Sequence, residues 1–242
     1  MNSLLVDIGN SGAKVCIATD GSFGECHRVD SDKLVSDTCK LARDYSASQA
    51  IVSSVGADPA ELCEKLIGQG VDTILLGADT PLPFRLGYDS PDTLGADRMA
   101  AVAGAMALYP QQNVLVVDAG SCVTYEFLTA EGLYMGGNIA PGLKMRLLAM
   151  HEHTALLPII EPQGDTPLIG YTTATALRTG ALRGMAYETE GYLRVWQEQQ
   201  GNVTLLLTGG DAPLIAPLLA VEARLEPALV MHGLNEILKN TH

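Results

Sequence analysis

Positive charge is scarce in this chain. Across 242 residues, 15 Lys and Arg stand against 28 Asp and Glu, a formal net charge of −13. A nucleic-acid surface needs clustered Lys and Arg, so that class of partner is excluded. Cysteine is sparse as well, with five residues at 16, 26, 39, 63 and 122 and no Cys-x-x-Cys pair. An odd, scattered set reads as reduced intracellular thiols rather than a disulfide frame or a zinc site. No apolar run approaches the roughly 20 residues that span a bilayer. Met1-Asn2-Ser3 leads directly into a short strand and an Asp, without the basic and apolar regions of a leader. A cytoplasmic protein without a membrane partner is expected. Three motifs are also missing: a Gly-x-x-x-x-Gly-Lys-Ser/Thr phosphate loop, a Gly-x-Gly-x-x-Gly after the first strand, and a Gly-x-Ser-x-Gly nucleophile turn. Apolar residues at 47% and charged residues at 18% fit a soluble globular protein, built as one domain or as two compact lobes.

What is present begins at Leu4-Leu-Val-Asp7-Ile-Gly-Asn-Ser-Gly-Ala-Lys14. An apolar run ends in Asp7, a Gly-Asn-Ser-Gly turn follows, and a second β-like run starts at Val15, the pattern of two strands joined tightly. Gly9 and Gly12 let the backbone approach a ligand, and successive amides there can face an anion. Asp7 can hold a cation or a water beside it. The same grammar returns at Val114-Leu-Val-Val-Asp118-Ala-Gly120-Ser121. A third apolar run, Val203 to Leu207, ends in Thr208-Gly209-Gly210-Asp211. Repeats of this kind predict one nucleotide site built from two related halves.

Alternating signals between these points predict an α/β fold. Strands are expected near 25–29, 50–55, 73–76, 122–128 and 133–139. Helices are expected from Ser31 or Asp32 to about Tyr45, over 59–67, 92–108, 141–152, 172–199, 213–219 and 234–238, with an extended piece over 228–231. Pro81 to Pro91 reads as a loop. Pro110 to Asn113 reads as the link between lobes. Gly180, Gly184 and Gly191 each weaken the long helix by about 1 kcal/mol relative to Ala unless something packs against them.

Gly95-Ala96-Asp97-Arg98 sets a carboxylate beside a guanidinium at a helix start. The carboxylate can take a proton from an alcohol, help worth roughly 10²–10⁴-fold, and the guanidinium can bind a phosphate or carboxylate. The same spacing suits an Asp that merely offsets the helix dipole, with Arg98 in a surface pair. Gly136-Gly-Asn-Ile-Ala-Pro-Gly142 either lines a cleft or ends a strand. Thr172, Thr173 and Thr175 read first as helix caps. Tyr88 is either a substrate wall or simply packed. His151 and His153, two apart on a helix, face different ways and make a poor metal pair.

In chain order, several blocks together resemble the type III pantothenate kinases of the acetate and sugar kinase, heat-shock chaperone ATPase and actin superfamily. They are Asp7 to Lys14, Tyr88 through Gly95-Ala-Asp-Arg98, Asp118 to Thr124, Gly136 to Gly142 with Thr154-Ala-Leu-Leu-Pro158, Thr173 to Gly180, Gly209-Gly-Asp211 and Leu229 to Leu234. The resemblance implies two ribonuclease H-like lobes, 1–112 and 113–242, in an actin-like ATPase fold with the nucleotide cleft between them. It implies transfer of the ATP γ-phosphoryl group to the primary hydroxyl of pantothenate, the entry step to coenzyme A. ATP with Mg²⁺, a monovalent cation (K⁺ or NH₄⁺) and a homodimer come with it. By position, Asp97 is the implied base, and Tyr88, Gly95, Ala96, Asp97, Arg98 and Thr173 are implied to hold pantothenate. Asp7, Ile8, Gly9, Asn10, Ser11, Gly12, Ala13, Lys14 and Ser121 are implied to bind ATP, and Asp118 the monovalent cation. Ser11 and Ser121 stand where the family usually has Thr, and Thr172 where it has Asn. A catalytically silent relative on the same fold is the alternative reading. Intact Asp7, Asp97, Arg98 and Asp118 argue for the enzyme.

Overall fold

The computed structural model describes residues 2–10 and 12–241, the side chain of Glu25 aside. Its chain begins with an antiparallel meander of β1 (Asn2–Gly9), β2 (Gly12–Thr19) and β3 (Ser22–Val29). Asp20 and Gly21 turn β2 into β3, both at positive φ, 49° and 78°. That is the backbone an Asp-Gly hairpin turn favours. After α1 (Leu34–Asp44), β4 (Gln49–Ser54) pairs parallel to β1, and after α2 (Ala60–Gly68), β5 (Asp72–Leu75) pairs parallel to β4. The sheet order is β3-β2-β1-β4-β5. Leu4, Leu5 and Val6 are all fully buried. A central strand covered on both faces explains an apolar run that does not alternate. On one face Leu4, Val6, Ile8, Val15 and Val52 pack with Leu34, Leu62 and Leu66.

Beyond a two-residue strand β6 (Arg85–Leu86), inside the expected loop, comes α3 (Ala96–Leu108). The second half then repeats the plan. β7 (Asn113–Ala119), β8 (Cys122–Leu128) and β9 (Leu133–Pro141) form an antiparallel meander. Two helices follow, α4 (Leu143–Glu152) and α5 (Thr173–Gln200). β10 (Val203–Thr208) then pairs parallel to β7, and past a short α6 (Ala212–Ile215), β11 (Arg224–Leu225) pairs parallel to β10. Five strands of the second, six-stranded sheet run in the order β9-β8-β7-β10-β11 and match the first sheet strand for strand, in direction as well as position. The expected pair of related halves is there. Leu115, Val117, Tyr125, Met185, Trp196 and Leu205 form the core of the second.

The chain divides into two compact units, one running to Pro110 and resuming at Ala228, the other Gln111–Pro227. The resemblance implies a second lobe over all of 113–242. Instead the last helix, α7 (Leu229–Thr241), packs in the first unit against α3. The contact depends on small residues: Met99 through Ala105 of α3 are buried, and any Cβ on Gly104 would collide with the Leu229 carbonyl, as one on Gly233 would with the Ala100 carbonyl. Asn235 of α7 also donates to the Gly21 carbonyl at 2.8 Å. The expected extended piece over 228–231 is therefore a helix start. Leu229 and Met231 are good helix formers, and their burial against the first unit suits that start.

Two further expectations are corrected. Cys16 and Cys26 form a disulfide, Cα atoms 4.3 Å apart, because the hairpin sets them directly opposite in the β2–β3 register. A separation of ten residues conceals that pairing. Cys39, Cys63 and Cys122 are free. A three-residue 3-10 turn, Ser31–Lys33, precedes α1, and no side chain caps it. Among the described residues no helix is long and apolar enough to cross a membrane.

The α3–α7 contact generates a paired prediction. Gly233→Ala is expected to destabilise by about 3 kcal/mol, since its methyl has no room beside backbone. Gly191→Ala, where nothing lies within 4 Å of the added carbon, is expected to stabilise by about 0.5–1 kcal/mol. Urea unfolding of both variants checks the contrast.

Candidate active site

In the first unit the site is built on the end of β1. Pairing on both sides sets Asp7 opposite Lys14 of β2 and Ser53 of β4. The Ser53 hydroxyl, fully buried, donates to Asp7 Oδ1 at 3.1 Å. Burial pushes the Asp7 carboxyl up to about 6. The Ser53 bond opposes that shift, the charge of Asp97 adds to it, and the charge of Lys14 opposes it. Asp7 and Asp97, ninety residues apart in sequence, thus feel one another in the fold. Ser53 escaped sequence reading. The only trace was a pair of polar residues, Ser53-Ser54, closing an apolar strand.

The turn between β1 and β2 is held from outside. The Val55 amide donates to the Ile8 carbonyl at 3.1 Å, and a Cβ on Gly56 would meet the Gly9 carbonyl oxygen at 2.7 Å. Gly12, at φ 127°, has a backbone that only glycine adopts readily. The side chains of Ile8 and Ala13 point into the core cluster, so these two can offer a ligand only backbone. Asn10 is exposed and Lys14 half-buried. Ser11 lies outside the described residues.

Asp97 and Arg98 open α3. Asp97 Oδ1 accepts from the Arg98 amide at 2.8 Å, and a Cβ on Gly95 would sit 2.6 Å from that same oxygen. Gly95 is therefore required by Asp97's rotamer. Arg98 is only 5% exposed, which rules out the surface-pair reading. Its guanidinium lies over the Tyr88 ring, 5.6 Å from the centroid, within the range of a cation–π contact. Ala96 is buried beside them. Tyr88, Gly95, Ala96, Asp97 and Arg98 thus come together at one helix start, and Asp7 is close enough to sense its charge.

The second unit places Asp118 at the end of β7, the counterpart of Asp7. A Cβ on Gly209 would meet Asp118 Oδ1 at 2.5 Å, and the Asp211 amide donates to the Ala119 carbonyl at 2.9 Å. Burial raises the Asp211 carboxyl, with the charge of Lys144 opposing. Ser121 is exposed, and its carbonyl accepts from the Gly142 amide at 3.2 Å. Thr172 and Thr175 form a reciprocal cap at the start of α5: Thr175 N donates to Thr172 Oγ1 at 3.1 Å and Thr172 N to Thr175 Oγ1 at 2.9 Å. The capping reading holds for those two. Thr173 is exposed at the same helix start.

Two half-folds of one topology, each carrying a carboxylate at the end of its first strand before a glycine turn, define a ribonuclease H-like pair of the actin-like ATPase fold. Solved structures agree on that fold. A Campylobacter jejuni protein described as a Baf family transcriptional activator superposes with a TM-score of 0.63 at 24% identity, covering 98% of each chain. A Listeria monocytogenes protein described as an N-acetylmannosamine kinase superposes at 0.59 and 12% identity, covering all of each. Within the fold, the family model for type III pantothenate kinase matches residues 3–195. A type III pantothenate kinase of Porphyromonas gingivalis is 40% identical over 241 residues, 98% of each chain. The chain belongs to the type III pantothenate kinase family.

The Asp7 environment predicts a pH signature. Its carboxyl holds a proton in the folded state up to about pH 6, against an ordinary value of 3.8. Stability from this group is therefore complete below about pH 4 and is lost as pH rises through 6. At 1.36 kcal/mol per pKa unit the loss reaches at most about 3 kcal/mol. Asp7→Asn is expected to melt higher than the parent at pH 7.5 and level with it at pH 4. Thermal unfolding across that range checks the convergence.

Proposed function

We propose that this chain transfers the γ-phosphoryl group of ATP to the primary hydroxyl of pantothenate, giving 4′-phosphopantothenate and ADP, the first step of coenzyme A biosynthesis. The observation that carries this reading is the pairing of Asp97 with a buried Arg98 set over the Tyr88 ring, in a chain matched over 98% of its length by a pantothenate kinase. Asp97 takes the hydroxyl proton as the oxygen forms its bond to the γ-phosphorus and the bond to the β-phosphate oxygen breaks. Arg98, held by Tyr88, presents its fork of donors to the pantothenate carboxylate. Gly95, Ala96 and Thr173 complete the contacts to that substrate. Such transfer depends on positioning and on neutralising phosphate charge, with little covalent work by the protein.

The turn from Asp7 to Lys14, Ser11 included, serves ATP, and so does Ser121 in the equivalent turn of the second unit. Mg²⁺ arriving with ATP supplies charge neutralisation on the phosphates. A carboxyl that burial holds near pH 6 suits a cation, which restores the ionised form that burial opposes. Asp118, an oxygen donor among backbone carbonyls, is a fitting ligand for a hard monovalent cation, K⁺ or NH₄⁺. The working form is a homodimer in the cytoplasm.

Purified protein with ATP, Mg²⁺ and pantothenate is expected to release ADP only when pantothenate is present, and much faster in K⁺ than in Na⁺. Pantothenate-independent release, or none from folded protein, would refute the assignment. Asp97→Asn is expected to lower kcat by roughly 10²–10⁴ while ATP binding survives. Unchanged turnover in that variant would remove Asp97 from the base role.

A further inference from the structure

One polar network in the second unit has no part in the chemistry above. Arg146, on α4, donates from Nε to the Pro141 carbonyl at 2.7 Å. Its Nη1 and Nη2 donate to the two carboxylate oxygens of Glu188 on α5, at 2.9 and 2.6 Å. The Tyr125 hydroxyl, from β8, donates to Glu188 Oε2 at 3.1 Å. The Arg146 amide also donates to the Gly142 carbonyl at 2.9 Å. The Arg146 side chain therefore grips the Pro141 carbonyl while Glu188 and Tyr125 hold its fork in plane, and its amide bond to Gly142 is the ordinary first bond of α4, made whatever the side chain.

That turn presses on the glycine turn after β7. The Gly142 amide donates to the Ser121 carbonyl, and a Cβ on Gly142 would meet the carbonyl oxygens of Gly120 and Ser121. There is no slack in this contact, so a shift of Pro141–Gly142 displaces Gly120–Ser121. Only a planar fork supplies three donors at these angles, and a lysine ammonium cannot satisfy Pro141 and both Glu188 oxygens at once. The two side chains are 17% and 39% exposed. Ion pairs this open to water contribute little to stability, so the effect of the network lies in geometry.

We propose that Arg146 and Glu188, oriented by Tyr125, are positioning residues for the nucleotide, setting the Gly120–Ser121 turn through the Pro141–Gly142 turn. The inference rests on reading Ser121 as an ATP contact.

The test is ADP binding with Mg²⁺, measured by calorimetry on the full chain without pantothenate, together with the kinetic constants for both substrates. Arg146→Met and Glu188→Gln are expected to weaken ADP binding and raise KM for ATP about tenfold, leaving KM for pantothenate within twofold and melting within a few degrees of the parent. Arg146→Lys is expected to fall between, since it keeps the charge and loses the fork, and it serves if the methionine variant does not fold. Unchanged ADP affinity in these variants, or equal losses toward both substrates, would overturn the positioning role. A parent chain that binds no ADP would overturn the nucleotide reading itself, and the inference with it.

Discussion

A carboxylate held at the end of a strand that is paired on both sides is the constraint on which the first unit depends. Asp7 ends a strand paired with both β2 and β4, next to the fully buried Leu4, Leu5 and Val6. The sheet therefore forces a charge into a partly apolar place. Ser53 and Lys14 offset part of the cost, and Asp97 adds to it. Sites built for phosphoryl transfer gain from this arrangement, because a carboxylate that is uncomfortable alone is stabilised when a cation arrives.

Asp97 in turn depends on the far end of the chain. It sits in the first turn of α3, a helix of small residues whose buried face is covered by α7. The residues of α3 gain close packing, but only because Gly104 and Gly233 let two backbones approach. The proposed base is thus placed by a helix about 130 residues further along the sequence, which belongs to the same compact unit. By that return the last helix belongs to the compact unit in which the chain begins.

The legible parts of the fold were those where one local signal sufficed. β1, β7 and β10 are apolar runs ending in polar glycine turns, and α5 has a Thr cap and a long reach. What stayed hidden required knowing which segments meet. Ser53 acquires meaning only opposite Asp7, Cys16 only opposite Cys26, and the helix start at Leu229 only against α3. Arg98 was visible as a possible ligand, yet its burial under Tyr88 depends on a loop whose path the sequence does not state. Arg146 and Glu188, 42 residues apart on two helices, carry no local signature at all.

The two halves share one further device, which revises the reason for some of their glycines. After β4, Gly56 presses on Gly9 and the Val55 amide bonds to Ile8; after β10, Gly209 presses on Ala119 and Asp118, and the Asp211 amide bonds to Ala119. In each half the residue following the strand-end Asp accepts an amide from the loop after the parallel neighbour, and a glycine in that loop makes the approach possible. Glycine at 56 and 209 is accordingly explained by backbone packing before any ligand is considered. The same packing has a chemical consequence, since it fixes the peptide that follows Asp7 and the one that follows Asp118. A turn braced in this way keeps its geometry without a ligand, so little reorganisation is left for the moment of phosphoryl transfer.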